Sequence, residues 1–142
     1  MRKRVLLAAC LLLGAAVSGC APRPEMKPEE TIVFVNEAEE ADVWFVPDTE
    51  QNRRTTVWGT ATVAKLGANE TCEVSLDALG GAGTYLIRMI GTNGMYYAVD
   101  GVALADGYTV RLRLMEDLSV VAEVTDAAGA SVGTYTGFAA RL

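Results

Sequence analysis

Cys72 is the one thiol beyond residue 20 and the most nucleophilic side chain of that region. A catalytic thiol needs a base or a positive neighbour to form its thiolate. The chain has no histidine, and Glu70 and Glu73 flank the cysteine with negative charge. Its alternation with Val74 and Leu76 predicts a buried structural thiol instead. Ser75, Ser119 and Ser131 lie in alternating segments, none of them in a Gly-x-Ser-x-Gly elbow. Without histidine, and with three cysteines in all, neither a His-ligated metal nor a thiolate cage can be built. Carboxylates remain. Glu37, Glu39, Glu40 and Asp42 form an acidic run that could supply oxygens to calcium, but it lacks the glycine and alternating spacing of a calcium loop. Asp100 and Asp106 flank turns, where aspartate commonly accepts backbone hydrogen bonds. A glycosidase-like pair needs only two acids at a set separation, and nothing singles out two among eighteen. Trp44, Trp58, Tyr96 and Tyr97 have another use, because aromatic rings stack on sugars and anchor protein partners. The residues therefore assign no catalytic site, no metal and no cofactor, and leave these four aromatics as the candidate binding groups.

The elements that would position them are strands. Period-two alternation runs through Ile32–Val35, Val43–Val46, Thr56–Val63, Glu70–Asp77, Tyr85–Ile90, Met95–Val99, Tyr108–Leu114, Leu118–Val124 and Ser131–Phe138. Pro47-Asp48 stops the second segment, and the polar run Glu50–Arg54 reads as a loop. Asn93-Gly94 marks a hairpin, with further turns at Gly80–Gly83, Asp106-Gly107 and Asp126–Gly129. No ten-residue stretch here carries a helical stripe. About seven to nine short strands divided by Gly, Asn and Asp turns mean an all-β domain over residues 31–142, a sandwich or a small barrel, and of these a single antiparallel β-sandwich (immunoglobulin-like or transthyretin-like) is the expectation.

Ahead of this domain the composition changes twice. Arg2, Lys3 and Arg4 precede an apolar run, Val5–Ala16, which has the length of a secretory h-region and is short for a membrane span. It ends in Val17-Ser18-Gly19-Cys20. This segment resembles the lipobox of bacterial lipoproteins. The resemblance implies a signal peptide over residues 1–19, cleavage between Gly19 and Cys20, and acylation of Cys20 by diacylglycerol and a further chain such as palmitate. Two or more acyl chains give stable anchoring. Ala21 replaces the aspartate that retains such proteins on the inner membrane, so the resemblance points to the outer membrane of a two-membrane envelope, with the polypeptide in the periplasm or at the cell surface. Residues 20–30 then hold three of the four prolines and read as an extended tether. Removal of three bases leaves nine against eighteen acids, a net charge of −9. That balance excludes nucleic acid, which is bound by neutralising phosphates.

The succession IVFVN, ADVWFVPD, VWG, KLGANETCEVSL, GGAGTYLIRMIGTNGMYYAVDGVAL and DGYTVRL, across Thr31–Leu114, also resembles a loose group of small exported bacterial β-sandwich domains. That likeness implies the fold and adds little chemistry. The sequence thus predicts a lipid-anchored, non-catalytic module of the cell envelope that binds another protein or serves a structural role. A carbohydrate-binding module using exposed Trp and Tyr is the alternative, and a carboxylate-based hydrolase stands third.

Overall fold

A computed structural model describes residues 28–142. The signal peptide, Gly19 and the lipidated Cys20 expected from the sequence lie outside the described residues. Among the described residues nine strands form: β1 (Thr31–Asn36), β2 (Ala41–Pro47), β3 (Val63–Leu66), β4 (Glu70–Ser75), β5 (Gly83–Gly91), β6 (Met95–Leu104), β7 (Thr109–Leu114), β8 (Ser119–Thr125) and β9 (Ser131–Arg141). Two helical turns, α1 (Glu50–Arg54) and α2 (Leu76–Leu79), complete the set. All nine strands join one sheet in the order β3-β2-β5-β6-β9-β8-β7-β1-β4. The all-β fold is as expected, and the sheet wraps nearly into a barrel. Its outermost strands, β3 and β4, are consecutive in the chain and meet through residues 67–69.

The structure corrects the expected pairing in one place. Neighbours run antiparallel except β1 and β7, which are parallel. Parallel neighbours need a long crossover, and here the whole other half of the sheet supplies it. β1 and β2, adjacent in sequence, therefore face each other across the interior. Phe34 and Phe45 meet there edge to face, with centroids 5.3 Å apart. Ile32, Val43, Ile87, Met89, Val99, Val110, Leu112, Val120 and Val124 fill the space around them. Among the described residues, the nine strands and the core they enclose form one continuous unit.

Two devices close the wrap. β9 pairs with β8 through Phe138 and with β6 from Phe138 to Arg141, so it turns the corner between the two halves. Gly137 sits at that corner because a Cβ there would collide with the Ala98 carbonyl. On the other side Asn36, fully buried, is the clasp. Its Nδ2 donates to the carbonyls of Glu39, Leu66 and Gly67 at 2.6, 3.0 and 3.3 Å, and its Oδ1 accepts from Ala38 N at 3.0 Å. Its own carbonyl accepts from Asn69 N.

Several expected boundaries shift. The strand predicted over 56–63 begins only at Val63; residues 48–62 instead form a strap over the outer face of the sheet. Hydrogen bonds to the strap replace a ladder: Phe45 N donates to Thr62 Oγ1 and Trp44 Nε1 to Gly59 O, each at 3.0 Å. Glu50–Arg54, expected as a loop, closes one helical turn because Thr49 Oγ1 caps Asn52 N. The predicted strand end Leu76-Asp77 coils into α2, capped in the same way by Ser75. The last tether residues dock on α2: Glu29 accepts from Ser75 Oγ, and Leu76 N donates to Glu30 O. The Asn93-Gly94 hairpin forms with a three-residue loop in which Gly94 alone has positive φ, at 91°. That is a type I turn followed by a left-handed residue, the geometry of the next commonest hairpin class.

Candidate functional site

The outer face of β2, β5, β6 and β9 carries the aromatic residues. Parity decides which. Val43, Phe45, Met95, Tyr97 and Val99 point inward and are buried, so Trp44 and Tyr96 must point outward. The strap lays Trp58 between them. Trp44 and Trp58 lie 5.7 Å apart, Trp58 stacks on Tyr96 at 6.0 Å and 16°, and Tyr96 meets Phe138 at 6.1 Å. The structure thus brings together three of the four candidate aromatics. Tyr97 is excluded from the group: it sits in the core, 1% exposed, and its hydroxyl donates to Glu39 Oε2 at 2.8 Å. Burial first, and that carboxylate second, push its hydroxyl pKa far up. Phe138 was not legible as a candidate; its one signal was opposite parity to Tyr135 and Ala139 within a polar strand.

Beside the stack Thr56, Trp58, Ile90, Tyr96 and Leu142 line a recess of about 340 Å³ whose walls are almost wholly apolar. Leu142 is held there by its backbone N–H, which donates to Gly94 O at 2.9 Å. Trp58 Nε1 is buried and finds no acceptor among the described residues. An orphaned donor costs about 1–3 kcal/mol, a cost that the ring packing on both sides offsets.

Charges under the strap fix its base. Arg88 on β5 is 5% exposed and donates to Asp100 at 2.7 Å and to the Ile87 carbonyl at 3.1 Å. Arg53 on α1 makes a two-pronged pair with Asp48 at 2.6 and 2.7 Å and lies 3.6 Å from Asp100. The Arg53 guanidinium holds the Asp48 carboxyl below the usual carboxylate range, with a smaller contribution from Gly101 N–H. This is a structural network that pins 48–62 to the sheet, and a buried arginine requires such pairing.

The other candidates disperse. Glu37 pairs with Arg111 at 3.1 Å, Glu39 is engaged by Tyr97, and Asp42 Oδ1 accepts from Lys65 N at 2.8 Å. Among the described residues no three His, Cys, Asp or Glu side chains are placed to share a metal ion. Asp106 accepts from Thr31 N at 2.9 Å, closing a turn against β1. Cys72 is partly buried against the core, where burial and then Glu73 raise its thiol pKa. Ser75 caps α2 and Ser119 donates to Asp117, so neither faces a base. No protein-family model, no curated protein and no solved structure matches the chain.

Proposed function

We propose that this chain is an envelope lipoprotein, anchored through Cys20, whose β domain binds another protein through the pole that carries the recess. One observation carries the reading. Six large apolar side chains are exposed among the described residues, and five of them, Val57, Met115, Leu118, Phe138 and Leu142, gather at or beside that pole. Met115 and Leu118 flank the β7–β8 turn, Phe138 pairs with Ser119 next to them, Leu142 lines the recess, and Val57 lies in the chain between its lining residues Thr56 and Trp58. Exposed apolar side chains gathered at one end of a domain mark interaction sites.

The pole also faces away from the tether. The chain enters at Glu29 and Glu30 beside α2, whereas Ile90, Tyr96 and Leu142 lie at the opposite strand ends. The six residues of β1, which runs from the entry toward that pole, separate the two by roughly 20 Å at about 3.3 Å per residue. A lipid on Cys20 would leave the apolar pole presented outward. The glycan reading is weaker: Tyr96 occupies one face of Trp58, and the recess has few polar groups to hold sugar hydroxyls.

Two measurements test this. A fatty-acid probe should label the protein in cells, with the label lost on Cys20→Ala; persistent labelling would refute the anchor. A photo-cross-linking residue at Phe138 should give one defined protein adduct in intact cells, absent when the cross-linker replaces Val132 at the other pole. Equal adducts from both positions, or glycan binding that depends on Trp58, would overturn the module as read.

A further inference from the structure

Resting on the protein-binding reading of that pole, we infer that the docking segment of the partner is extended and cationic, with an apolar anchor and basic residues about four positions apart. The surface has two ends. One is the apolar recess of Thr56, Trp58, Ile90, Tyr96 and Leu142. The other is an open depression of about 390 Å³ at the β7–β8 turn, lined by Met115, Glu116, Asp117 and Ser119. Phe138 joins them, meeting Tyr96 on one side and pairing with Ser119 on the other. From Ile90 on β5 through β6 and β9 to Ser119 on β8 the path crosses three strand spacings, about 14 Å at roughly 4.8 Å each. An extended peptide covers that distance in about four residues.

Charge selects the sign of the second end. Glu116 and Asp117 are exposed, and the hydrogen bonds from Ser119 keep the Asp117 carboxyl below its ordinary range, so it stays ionised. Glu40 is exposed at the same pole, and Asp42 lies beside Ile90 on the outer face. Seventeen acids face seven bases within residues 28–142, once Glu25 and the five bases before residue 28 are set aside. Five of those seven bases, Arg53, Arg54, Arg88, Arg111 and Arg113, already meet carboxylates; Lys65 and Arg141 are the cations left at this pole. The excess carboxylate repels anionic lipid and a second copy brought pole to pole, and attracts lysine and arginine.

The assay is intrinsic fluorescence, because the two tryptophans, Trp44 and Trp58, both belong to the stack. Residues 28–142 are titrated with three tryptophan-free peptides: two leucines and two lysines separated by four threonines, the same with glutamates for lysines, and the same with all threonine beyond the leucines. The lysine peptide should shift the emission and bind at least tenfold tighter than the other two. Phe138→Ser should weaken it tenfold, and Glu116→Lys with Asp117→Lys should abolish the preference for lysine, whereas Val132→Asp should change nothing. Melting curves of each variant report that it is folded. Equal binding of the three peptides with retained dependence on Phe138 overturns the basic partner and leaves the docking pole standing. No binding of the lysine peptide, or a larger shift with phosphatidylglycerol vesicles, overturns the inference. Loss of the Phe138 cross-link in cells instead removes the reading beneath it.

Discussion

Replacing Asn36 by alanine removes the clasp that closes the wrap, and the structure sets the size of the effect. The substitution removes an amide whose two N–H donors reach three carbonyls and whose oxygen accepts one hydrogen bond, while leaving the backbone in place. The bond to the Leu66 carbonyl is buried, so its loss is not made good by water and costs about 1–3 kcal/mol. The Glu39 and Gly67 carbonyls and Ala38 N–H are part-buried and regain some water, for about 1 kcal/mol more together. The total is about 3 kcal/mol, which for a domain of this size lowers Tm by roughly 10–15 °C. Circular dichroism melting and urea unfolding of residues 28–142 measure it. Asn36→Asp keeps the size and replaces the donors by a carboxylate facing three carbonyl oxygens. Its pKa in the folded chain must rise above the unfolded value of about 3.9. The added penalty is therefore absent below about pH 4 and grows as pH rises through that value. The aspartate variant should be the less stable of the two at pH 7 and approach the alanine variant in acid. A loss under about 1 kcal/mol for alanine, or no pH dependence for aspartate, would refute the clasp.

Gly137→Ala should cost as much or more and broaden the transition, since the new methyl collides with backbone rather than with a side chain; an unchanged melt would show that the corner can relax. Trp58→Ala should lose about 3–4 kcal/mol and expose Trp44 to quenchers, whereas Trp58→Phe keeps most packing, removes the orphaned N–H and should cost under about 1.5 kcal/mol. The Asp48 carboxyl, depressed by Arg53, stabilises the fold above its unfolded pKa, and that contribution fades as pH falls through the folded value. Arg53→Met should therefore flatten the acid limb of a stability–pH profile below about pH 4, and a profile parallel to the parent would contradict the pairing. The Tyr97 hydroxyl, raised by burial, should ionise only with alkaline unfolding, as should the buried Tyr85, so Tyr97→Phe reduces the amplitude of the last phase of an absorbance titration at high pH and leaves the Tyr85 share of it.

Much of this protein is decided by local pattern. Strict alternation in Val110–Leu114 and Val120–Val124 puts one parity in water and the other in oil, so those strands and their inward faces follow from the residues alone. The same parity separates Trp44 and Tyr96 from Tyr97. Turns at Asn93-Gly94 and Asp126–Gly129 follow from side chains that hydrogen-bond their own backbone. Tertiary structure decided what pattern cannot encode. The strap 48–62 has no period, and its course is set by Trp58 inserting between two rings and by arginine–carboxylate pairs contributed from α1, β5 and β6. The parallel contact of β1 with β7 needs partners 76 residues apart, Val33 and Thr109, which no window of sequence contains. Asn36 looked like an ordinary strand end, yet closure of the sheet buries it and makes it the hinge of three segments. The apolar pole is also a product of the fold: Met115, Leu118, Phe138 and Leu142 are scattered exposures in the chain, and the placement of β9 between β6 and β8 brings them to the same strand ends.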